Sequence, residues 1–504
     1  MRSQMCIGKR PPVSVITQKA KVRIASPAAA YNAAFFAQLP IAAMTTDVDL
    51  PLNARPKLTL VLCTLLHAFT HAYSVMLVPL YLLVVADLNL PGVGNAAAVV
   101  TLYSVVYWGL AYVSGVLADR FNRKVLLGIG MLGNAIGVLA MGLTRSYEWL
   151  IVWSVVAGVA GSLFHPAANA MVPAHYPKSP GMAIGLLGAG SGLGFFLGPQ
   201  YAGWRAESAT WHLWNIADWQ RPLVELGLIG LAIGVVFLLF AREVPNRIFR
   251  RRGDGGLPVP SADELASMSE PPSLPINKAN VLGRRLRWQV IGLAFTLGFR
   301  DFAGVAGLSL ASIFLQKAYG YGAKQAGLVV GSMMLLSMVV NPVAVYLSHG
   351  RKRLPALLLH LGIGACVVPL ASRMPNVAWV VVVLCLFQTC QLGSYSISDA
   401  ATLERVAPEV RGRVVGLFLT IAGTLGATGP WVMGAWVDSM GERAALPSSY
   451  GGPFMFLGIC ILWSMLAVLI IRRIGTTPEP IRRNIEPAPE RRRSSLSPVL
   501  GGEG

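Results

Sequence analysis

The sequence is divided into twelve runs of mostly apolar residues, each about as long as a bilayer-crossing helix. They lie at approximately 58–85, 95–117, 125–144, 148–172, 181–204, 222–241, 288–316, 323–347, 354–373, 376–400, 411–437 and 452–472. Only 13% of the 504 residues are charged, whereas soluble domains carry about 25%. The sequence therefore predicts an all-α polytopic membrane protein with twelve transmembrane helices in two pseudo-symmetric six-helix halves.

The distribution of positive charge predicts the orientation. The net charge is +19, and the basic residues concentrate in the tails, in a central polar stretch, and around 120–124 and 351–353. With twelve spans all of these lie on one face, so the positive-inside rule places both termini in the cytoplasm. A nucleic-acid partner is not indicated, because the charges follow the loops. The opposite loops carry Trp204, Trp211, Trp214 and Trp219, which are expected to form an interfacial belt.

Five regions follow from this pattern. They are an N-terminal cytoplasmic tail (1–57), a first six-helix half (58–241), a cytoplasmic linker (242–287), a second six-helix half (288–472) and a C-terminal cytoplasmic tail (473–504). The N-terminal tail is expected to be disordered. Two alternatives are that translation starts at Met44 and that the segment is an organellar transit peptide.

The two halves repeat one another. Gly198-Pro199 in the fifth run and Gly429-Pro430 in the eleventh are each followed by a further glycine, and the two motifs are separated by 231 residues. A parallel repeat of six-helix halves is a transporter architecture with its binding site near the midplane. The sequence has no Gly-x-x-x-x-Gly-Lys-Ser/Thr loop for ATP. We therefore expect neither an enzyme nor a bound cofactor, and an ion gradient, most often of protons, as the driving force.

The loop after the second run resembles the signature loop of the major facilitator superfamily. It reads Gly115-Val-Leu-Ala-Asp119-Arg120-Phe-Asn122-Arg123-Lys124, with Asn122 where the family usually has glycine. The resemblance implies the major facilitator fold and a gating loop, in which Asp119 meets the N-terminus of the eleventh helix and its Arg411 or Arg413. The alternative is that these charges report topology alone.

Two narrower resemblances concern direction. Gly194 to Pro199 resembles the Gly-x-x-x-Gly-Pro motif of proton-coupled exporters, although the glycines of this helix also suit simple helix packing. His67-Ala-Phe-Thr-His71, Phe164-His165-Pro166 and Gly181-Met-Ala together resemble the fosmidomycin-resistance group of efflux permeases. That group tends to have an acidic residue where this chain has His71, so a carboxylate proton carrier is not expected there.

In the superfamily, helices 1, 4, 7 and 10 line the central cavity, and polar residues inside a membrane mark function by default. The candidates on these four helices are His67, His71, His165, Arg300, Asp301, Gln388, Gln391, Ser394, Ser398 and Asp399. His67 and His71 share a helix face and suit proton transfer, although each histidine also suits a hydrogen-bonded core position. An alternative is that the pair binds a transition metal together with His165, but no supporting carboxylate or Met/Cys cluster accompanies them, so a metal site is not expected.

The remaining charges have several interpretations. Arg300 suits a bidentate grip on an anionic substrate, and Asp301 suits either a counter-ion or a proton site. A direct pair between them is not assured, since adjacent helical residues point about 100° apart. Asp399, near the cytoplasmic end of the tenth run, is expected to cap or anchor that helix.

The sequence thus predicts a monomeric secondary active transporter in a bacterial inner membrane. It would move a small organic compound, an anion in the preferred version, by proton-coupled efflux. The first alternative is proton-coupled uptake of an organic anion or other metabolite. The second is a membrane protein that serves assembly or sensing and transports nothing.

Overall fold

The computed structural model describes residues 55–177, 179–208, 216–244, 282–407 and 410–474. Within these ranges the chain forms helices joined by short turns. Nearly all of the predicted N-terminal tail, most of the linker 242–287, nearly all of the C-terminal tail, and the side chains of Trp211 and Trp214 lie outside the described residues.

The helices follow the apolar runs closely. They are α1 (Pro56–Asp87), α2 (Val93–Gly109 with Ala111–Arg120), α3 (Arg123–Leu143), α4 (Tyr147–Ala174), α5 (Pro180–Glu207), α6 (Gln220–Phe240), α7 (Arg284–Tyr319), α8 (Ala323–Leu347), α9 (Gly350–Arg373), α10 (Val377–Leu403), α11 (Arg411–Ser439) and α12 (Pro447–Arg473). Ten are long and apolar enough to cross a membrane, and the two parts of α2, bent by 45°, form an eleventh. The apolar part of α8 is shorter. In the described residues the count is consistent with the twelve predicted spans.

Local sequence signals fix several helix ends. The side chains of Asn122, Ser146 and Asn376 accept hydrogen bonds from the backbone three residues later, and so cap α3, α4 and α10. Helix α7 ends at Tyr319, and the next residue, Gly320, has a φ of 66°, which glycine adopts easily. Because successive helices alternate in direction, the starts of α1, α3, α5, α7, α9 and α11 lie at one end of the bundle. We call this the basic end and the opposite one the far end.

A stripe of glycines brings α5 into close contact with α1. Gly190, Gly194 and Gly198 are spaced four residues apart and face the backbone of α1 at Thr64, Ala68 and Ala72. A Cβ on Gly198 would lie 2.8 Å from the Ala72 Cα atom, which is closer than real side chains approach. The glycines of the exporter-like motif of α5 therefore pack closely against α1 in this fold.

The two halves meet along two seams that the repeat relates. In the first seam, Gly203 of α5 packs on the backbone carbonyl of Ala323 in α8. In the second, Gly434 of α11 packs on Gly94 of α2, where a Cβ would lie 2.8 Å from the Gly94 Cα. Gly203 and Gly434 are 231 residues apart, so equivalent glycines make equivalent contacts. Both contacts lie toward the far end.

Hydrogen bonds between the halves also gather toward the far end. The Tyr81 hydroxyl lies 3.2 Å from the Ser309 hydroxyl, and Ser312 donates to the Val78 carbonyl at 2.9 Å. These bonds join α1 to α7. Further along, the Trp431 amide of α11 donates to the Thr101 hydroxyl of α2 at 3.1 Å.

The seam between α2 and α11 widens toward the basic end. A Cβ on Gly423 would lie 2.8 Å from Trp108, one on Gly416 would lie 3.9 Å from Tyr112, and one on Gly412 would meet nothing within 4 Å. Helix α5 changes in the same way, since Gly188 near its basic end also faces open space. The halves are thus in contact at the far end and diverge toward the basic end.

One tryptophan lies elsewhere than predicted, and one buried ion pair was not predicted from the sequence. Trp219, expected in the interfacial belt, is 1% exposed and donates its indole N–H to Asp87 at 2.9 Å. Its neighbourhood is therefore the protein interior, because the start of α6 packs beside the end of α1. Arg205 and Glu225, which carried no prediction, form a largely buried ion pair between α5 and α6 at 2.7 Å, and the Tyr201 hydroxyl donates to Glu225.

Candidate functional site

Three histidines from two helices of the first half converge on one point. His67 and His71 of α1 lie one turn apart, and their Nε2 atoms are 3.1 Å from each other. His165 enters from α4, and one ring nitrogen of each histidine lies within 4.8 Å of those of the other two. The structure therefore brings together three residues that the sequence placed on two cavity-lining helices.

The close approach of α5 orients His67. The Nδ1 atom of His67 lies 2.7 Å from the carbonyl oxygen of Leu187 in α5. A carbonyl only accepts, so Nδ1 carries the proton and Nε2 presents its lone pair to the cluster. The His165 Nε2 atom is buried and has no hydrogen-bond partner in the described residues. The cluster thus contains at least one nitrogen lone pair aimed at its centre, and one nitrogen that lacks a partner.

Aromatic rings enclose the histidines. Phe164 stacks on His67 with ring centroids 4.8 Å apart, and Phe195 approaches His71 at 4.3 Å. Trp108 stacks on His165 at 5.5 Å, and the same Trp108 contacts Gly423 of the opposite half. His67 and His71 are therefore buried and His165 is half-buried, and Trp108 connects the cluster to the seam between the halves.

A second polar cluster lies in the second half around Arg300. Its guanidinium is 0% exposed, and Nη2 and Nε donate to one Asp301 oxygen at 2.8 and 2.9 Å. Nη1 donates to the Ser398 hydroxyl at 2.7 Å and to the Ser394 carbonyl at 3.2 Å. The guanidinium also stacks on the Tyr395 ring, 3.7 Å from its centre. The adjacent pair that the helical angle left unassured does form, because the long arginine side chain bends back to reach Asp301.

Asp399 belongs to the same cluster. It follows Ser398 on α10 and interacts electrostatically with Arg300, while its side chain is exposed. The expectation that it caps or anchors the helix end stays a prediction, and Asp399 in addition contributes a negative charge near Arg300. The cluster holds one cation and two carboxylates, and the arginine in this conformation is fully engaged by α7 and α10.

Gln388 and Gln391 lie on α10, one to two turns before Ser394, whose carbonyl accepts a hydrogen bond from Arg300. Both are buried. The Gln388 amide nitrogen approaches the Met334 sulfur of α8 at 3.5 Å. The Gln388 carbonyl oxygen and the Gln391 amide nitrogen have no partner in the described residues. These are polar atoms that a ligand or water would satisfy.

The two clusters occupy equivalent places in the repeat. The 231-residue offset carries His67 and His71 to positions 298 and 302 of α7, on either side of Arg300. It carries His165 to position 396 of α10, between Ser394 and Ser398. Each half therefore buries one polar cluster between its first and fourth helices, at corresponding positions in its fold.

The gating-loop residues lie at the basic end, and the predicted ion pair is not formed there. Asp119 and Arg120 are exposed at the end of α2 and, in the described part of the chain, make no ion pair. Arg411 instead donates to the Val406 carbonyl at 3.1 Å, and Arg413 is exposed. The divergence of α2 and α11 at this end explains why the two partners are apart.

Other residues of this loop have local roles. Arg123 donates to the Ala118 and Ala170 carbonyls at 3.4 Å, which joins the loop to the end of α4. The Lys124 amide donates to Glu243, and Gly115 lies close to Pro166, where a Cβ would be 4.0 Å away. In the helix-11 motif, Gly429 packs on Ala306 of α7. Gly429 and Pro430 begin the second part of α11, Gly429–Ser439.

Sequence reasoning missed one contact between the halves at the far end. The two carboxylate oxygens of Asp438, at the end of α11, accept hydrogen bonds of 2.8 Å from the Val93 and Gly94 amides at the start of α2. Glu207 at the end of α5 lies against Gly322 at the start of α8. The two acids are 231 residues apart, so the repeat itself was the signal that could have found them.

Comparison with solved structures shows the fold class. The structure resembles that of a bacterial homologue of the human lysosomal transporter Spinster, solved in an inward-facing and unoccupied conformation. The TM-score is 0.63 at 18% identity, covering 84% of this chain and 99% of that one. An inward-facing and occupied structure of such a homologue gives a TM-score of 0.60. The chain thus has the same helical fold as these structures.

Sequence comparison shows the family. The model of the Major Facilitator Superfamily matches residues 60–430. Multidrug resistance protein 3 of Bacillus subtilis is 24% identical over 378 residues, which are 68% of this chain and 73% of that protein. The probable nitrate/nitrite transporter NarK2 of Mycobacterium tuberculosis is 25% identical over 338 residues, 65% of this chain and 75% of that one. The chain belongs to the major facilitator superfamily, whose members are transporters of small molecules and not enzymes.

Proposed function

We propose that the chain exports a small organic anion by alternating access, in a transport cycle coupled to protons. The observation that carries this proposal is the Arg300 cluster, a buried guanidinium shared between Asp301 and α10 in the middle of a superfamily transporter. Relatives named for multidrug resistance favour export, and a relative named as a nitrate/nitrite transporter favours an anion.

The charges of the cluster supply a coupling mechanism. Arg300 faces two carboxylates, so an approaching anion meets one cation and two like charges. Protonation of Asp301 removes one like charge and weakens the hydrogen bonds that occupy Arg300, since charge-assisted bonds are roughly twice as strong as neutral ones. The guanidinium then has donors for a carboxylate or phosphonate. Proton and anion binding are thereby linked on one residue pair.

The seams support a definite conformation. The halves touch at the far end and diverge at the basic end, where Asp119 and Arg411 are apart. With the basic end in the cytoplasm, as the positive-inside rule expects, this is an inward-open state. In the opposite state α2 and α11 would close at the basic end, which would allow the gating-loop contact with Arg411 or Arg413 to form.

The narrower resemblance to the fosmidomycin-resistance group supplies a first substrate to test. Fosmidomycin carries a phosphonate, which suits a guanidinium. Uptake of an organic anion is the second candidate, and the same cluster favours it, because a protonated Asp301 and a bound anion stabilise each other, and an inward proton gradient would then carry both inward.

The proposal is tested with the full-length chain in proteoliposomes under an imposed pH gradient, with radiolabelled fosmidomycin and a panel of small organic anions. We expect gradient-driven accumulation of at least one anion in the unmodified protein. Asp301→Asn should abolish gradient-driven accumulation but retain exchange of labelled for unlabelled anion, because exchange needs no net proton transfer. Glu442→Gln, a change at an exposed far-end acid, should leave both activities unchanged.

The two directions are separated in cells. Deletion of the gene should increase sensitivity to the exported compound, whereas an importer would confer sensitivity when expressed. If Arg300→Lys and Asp301→Asn both leave gradient-driven accumulation intact, this cluster does not couple protons to substrate.

A further inference from the structure

The three-histidine cluster has a geometry that proton transfer alone does not explain. Three imidazoles from two helices point nitrogens at a common centre, all within 4.8 Å of one another. A single shared proton needs only the His67–His71 contact of 3.1 Å. His165, which stacks on Trp108 with its buried Nε2 unpartnered in the described residues, would have no part in that contact.

The separation of the nitrogens matches a metal site. Tetrahedral ligands with metal–nitrogen bonds of about 2.0–2.1 Å lie roughly 3.4 Å from one another. The His67 and His71 Nε2 atoms, 3.1 Å apart, are already close to this value. A change in the His165 ring position of roughly an ångström would complete a three-nitrogen set.

The surroundings of His67 are those of a metal ligand. Metal-binding histidines usually donate their second ring N–H to a carbonyl or carboxylate, which fixes the tautomer and aims the other nitrogen at the metal. The Leu187 carbonyl has this role for His67 at 2.7 Å. The rings of Phe164 and Phe195 limit the access of water, so a bound cation would not be readily hydrated away.

We propose that His67, His71 and His165 bind one divalent transition-metal cation of the class that imidazole prefers, such as Zn²⁺, Co²⁺ or Ni²⁺. Three neutral imidazoles leave the positive charge of the metal uncompensated, so the fourth position is open to water or to an anion. Hard cations that prefer oxygen ligands, Mg²⁺ and Ca²⁺, have no suitable donor in this group.

The site is tested on purified full-length protein carrying an affinity tag without histidine. Titration with Co²⁺ should produce visible absorption bands of a tetrahedral site that saturate at one equivalent. Calorimetry with Zn²⁺ should give the same stoichiometry. Excess Mg²⁺ should not displace either metal.

Variants separate this site from adventitious binding. His165→Gln removes the Nε2 atom, which has no hydrogen-bond partner among the described residues, so the fold should be retained while the affinity for Zn²⁺ falls at least tenfold. His71→Gln should do the same, with thermal unfolding as the check on folding. His360→Gln is the matched control, because that ring contacts the Ala356 carbonyl of its own helix and lies outside the cluster, so the affinity should not change.

Binding that is unaffected by His71→Gln and His165→Gln would overturn the proposal, as would the absence of saturable binding. These measurements use the metal alone and involve no transport. Their failure would therefore leave the proposed anion export untouched, and a failure of anion export would leave the metal site standing.

Discussion

The contact of Asp438 with the start of α2 gives the sharpest test of how the halves move. Its carboxylate accepts the Val93 and Gly94 amide protons at 2.8 Å each, and these donors belong to the opposite half. The contact exists only while the far end is closed. We predict that Asp438→Asn shifts the equilibrium toward the conformation in which the far end is open.

The size of the shift follows from the bonds lost. A hydrogen bond to a charged group contributes about 1.5–3 kcal/mol, and a negative charge at a helix N-terminus adds about 0.3–1 kcal/mol. Asparagine keeps one acceptor oxygen and loses the charge. Because Asp438 is half-buried, we expect a net loss of about 1–2 kcal/mol, which changes a population ratio roughly 5- to 30-fold.

The assay is alkylation of one cysteine at the far end. Ser309→Cys, in a chain whose native cysteines are replaced by serine, introduces a thiol at a position that is 1% exposed and lies against α1. A membrane-impermeant maleimide applied from the far side should react 5- to 30-fold faster after Asp438→Asn. Asp438→Ala should react faster still, and the exposed-acid control Glu442→Gln should not change the rate. An equal rate with and without Asp438→Asn would refute the assignment of this contact as part of the far-end gate.

Three further predictions concern the seams, the membrane core and the gating loop. Gly434→Ala places a Cβ where no space exists; it should speed the same alkylation by separating the seam, at a cost of about 1–3 kcal/mol. Gly188→Ala introduces a Cβ into open space, so the alkylation rate should not change. Equal effects of the two substitutions would show that close packing at Gly434 does not keep the far end closed. Glu225→Leu removes the carboxylate of the largely buried ion pair with Arg205 and should lower the free energy of unfolding by about 3–5 kcal/mol in denaturation, with Arg205→Met/Glu225→Leu recovering much of the loss. Asp119→Asn should not change the unfolding temperature of the present conformation, yet it should slow anion exchange several-fold. An unchanged exchange rate would argue against the gating-loop contact of Asp119 with Arg411 or Arg413.

Much of the fold was predictable because the bilayer imposes a simple rule. Each spanning helix must be apolar over about 20 residues, so hydropathy located the helices to within a few residues. The bend in α2 was less visible, since neither Gly109 nor Leu110 interrupts the apolar pattern. Helix α7 begins at Arg284, four residues before the predicted 288, because its first turn carries arginines that hydropathy assigns to a loop.

The sequence predicted which helices carry the site residues and at what depth they lie, but not which side chains contact each other. The sequence placed His165 on a cavity helix, whereas its meeting with His67 depends on how α4 packs on α1. The pairing of Arg300 with Asp301 depends on a rotamer that no spacing rule specifies. Asp438 was overlooked because an acid beside a far-end loop looks like ordinary solvated surface, and only its 231-residue relation to Glu207 distinguishes it.

The glycine seams also affect how far the basic ends of the helices move when the two halves rotate against each other. At Gly434 the backbones of the two halves touch with no side chain between them, so rotation there needs no repacking of side chains. Such a contact can act as the pivot of a rigid-body rotation, and the helices extend from it across a hydrocarbon core of about 30 Å. A tilt of about 10° would move their basic ends by roughly 5 Å across that thickness. A small rolling motion at a bare backbone contact is thus enough to open or shut a passage for a small molecule.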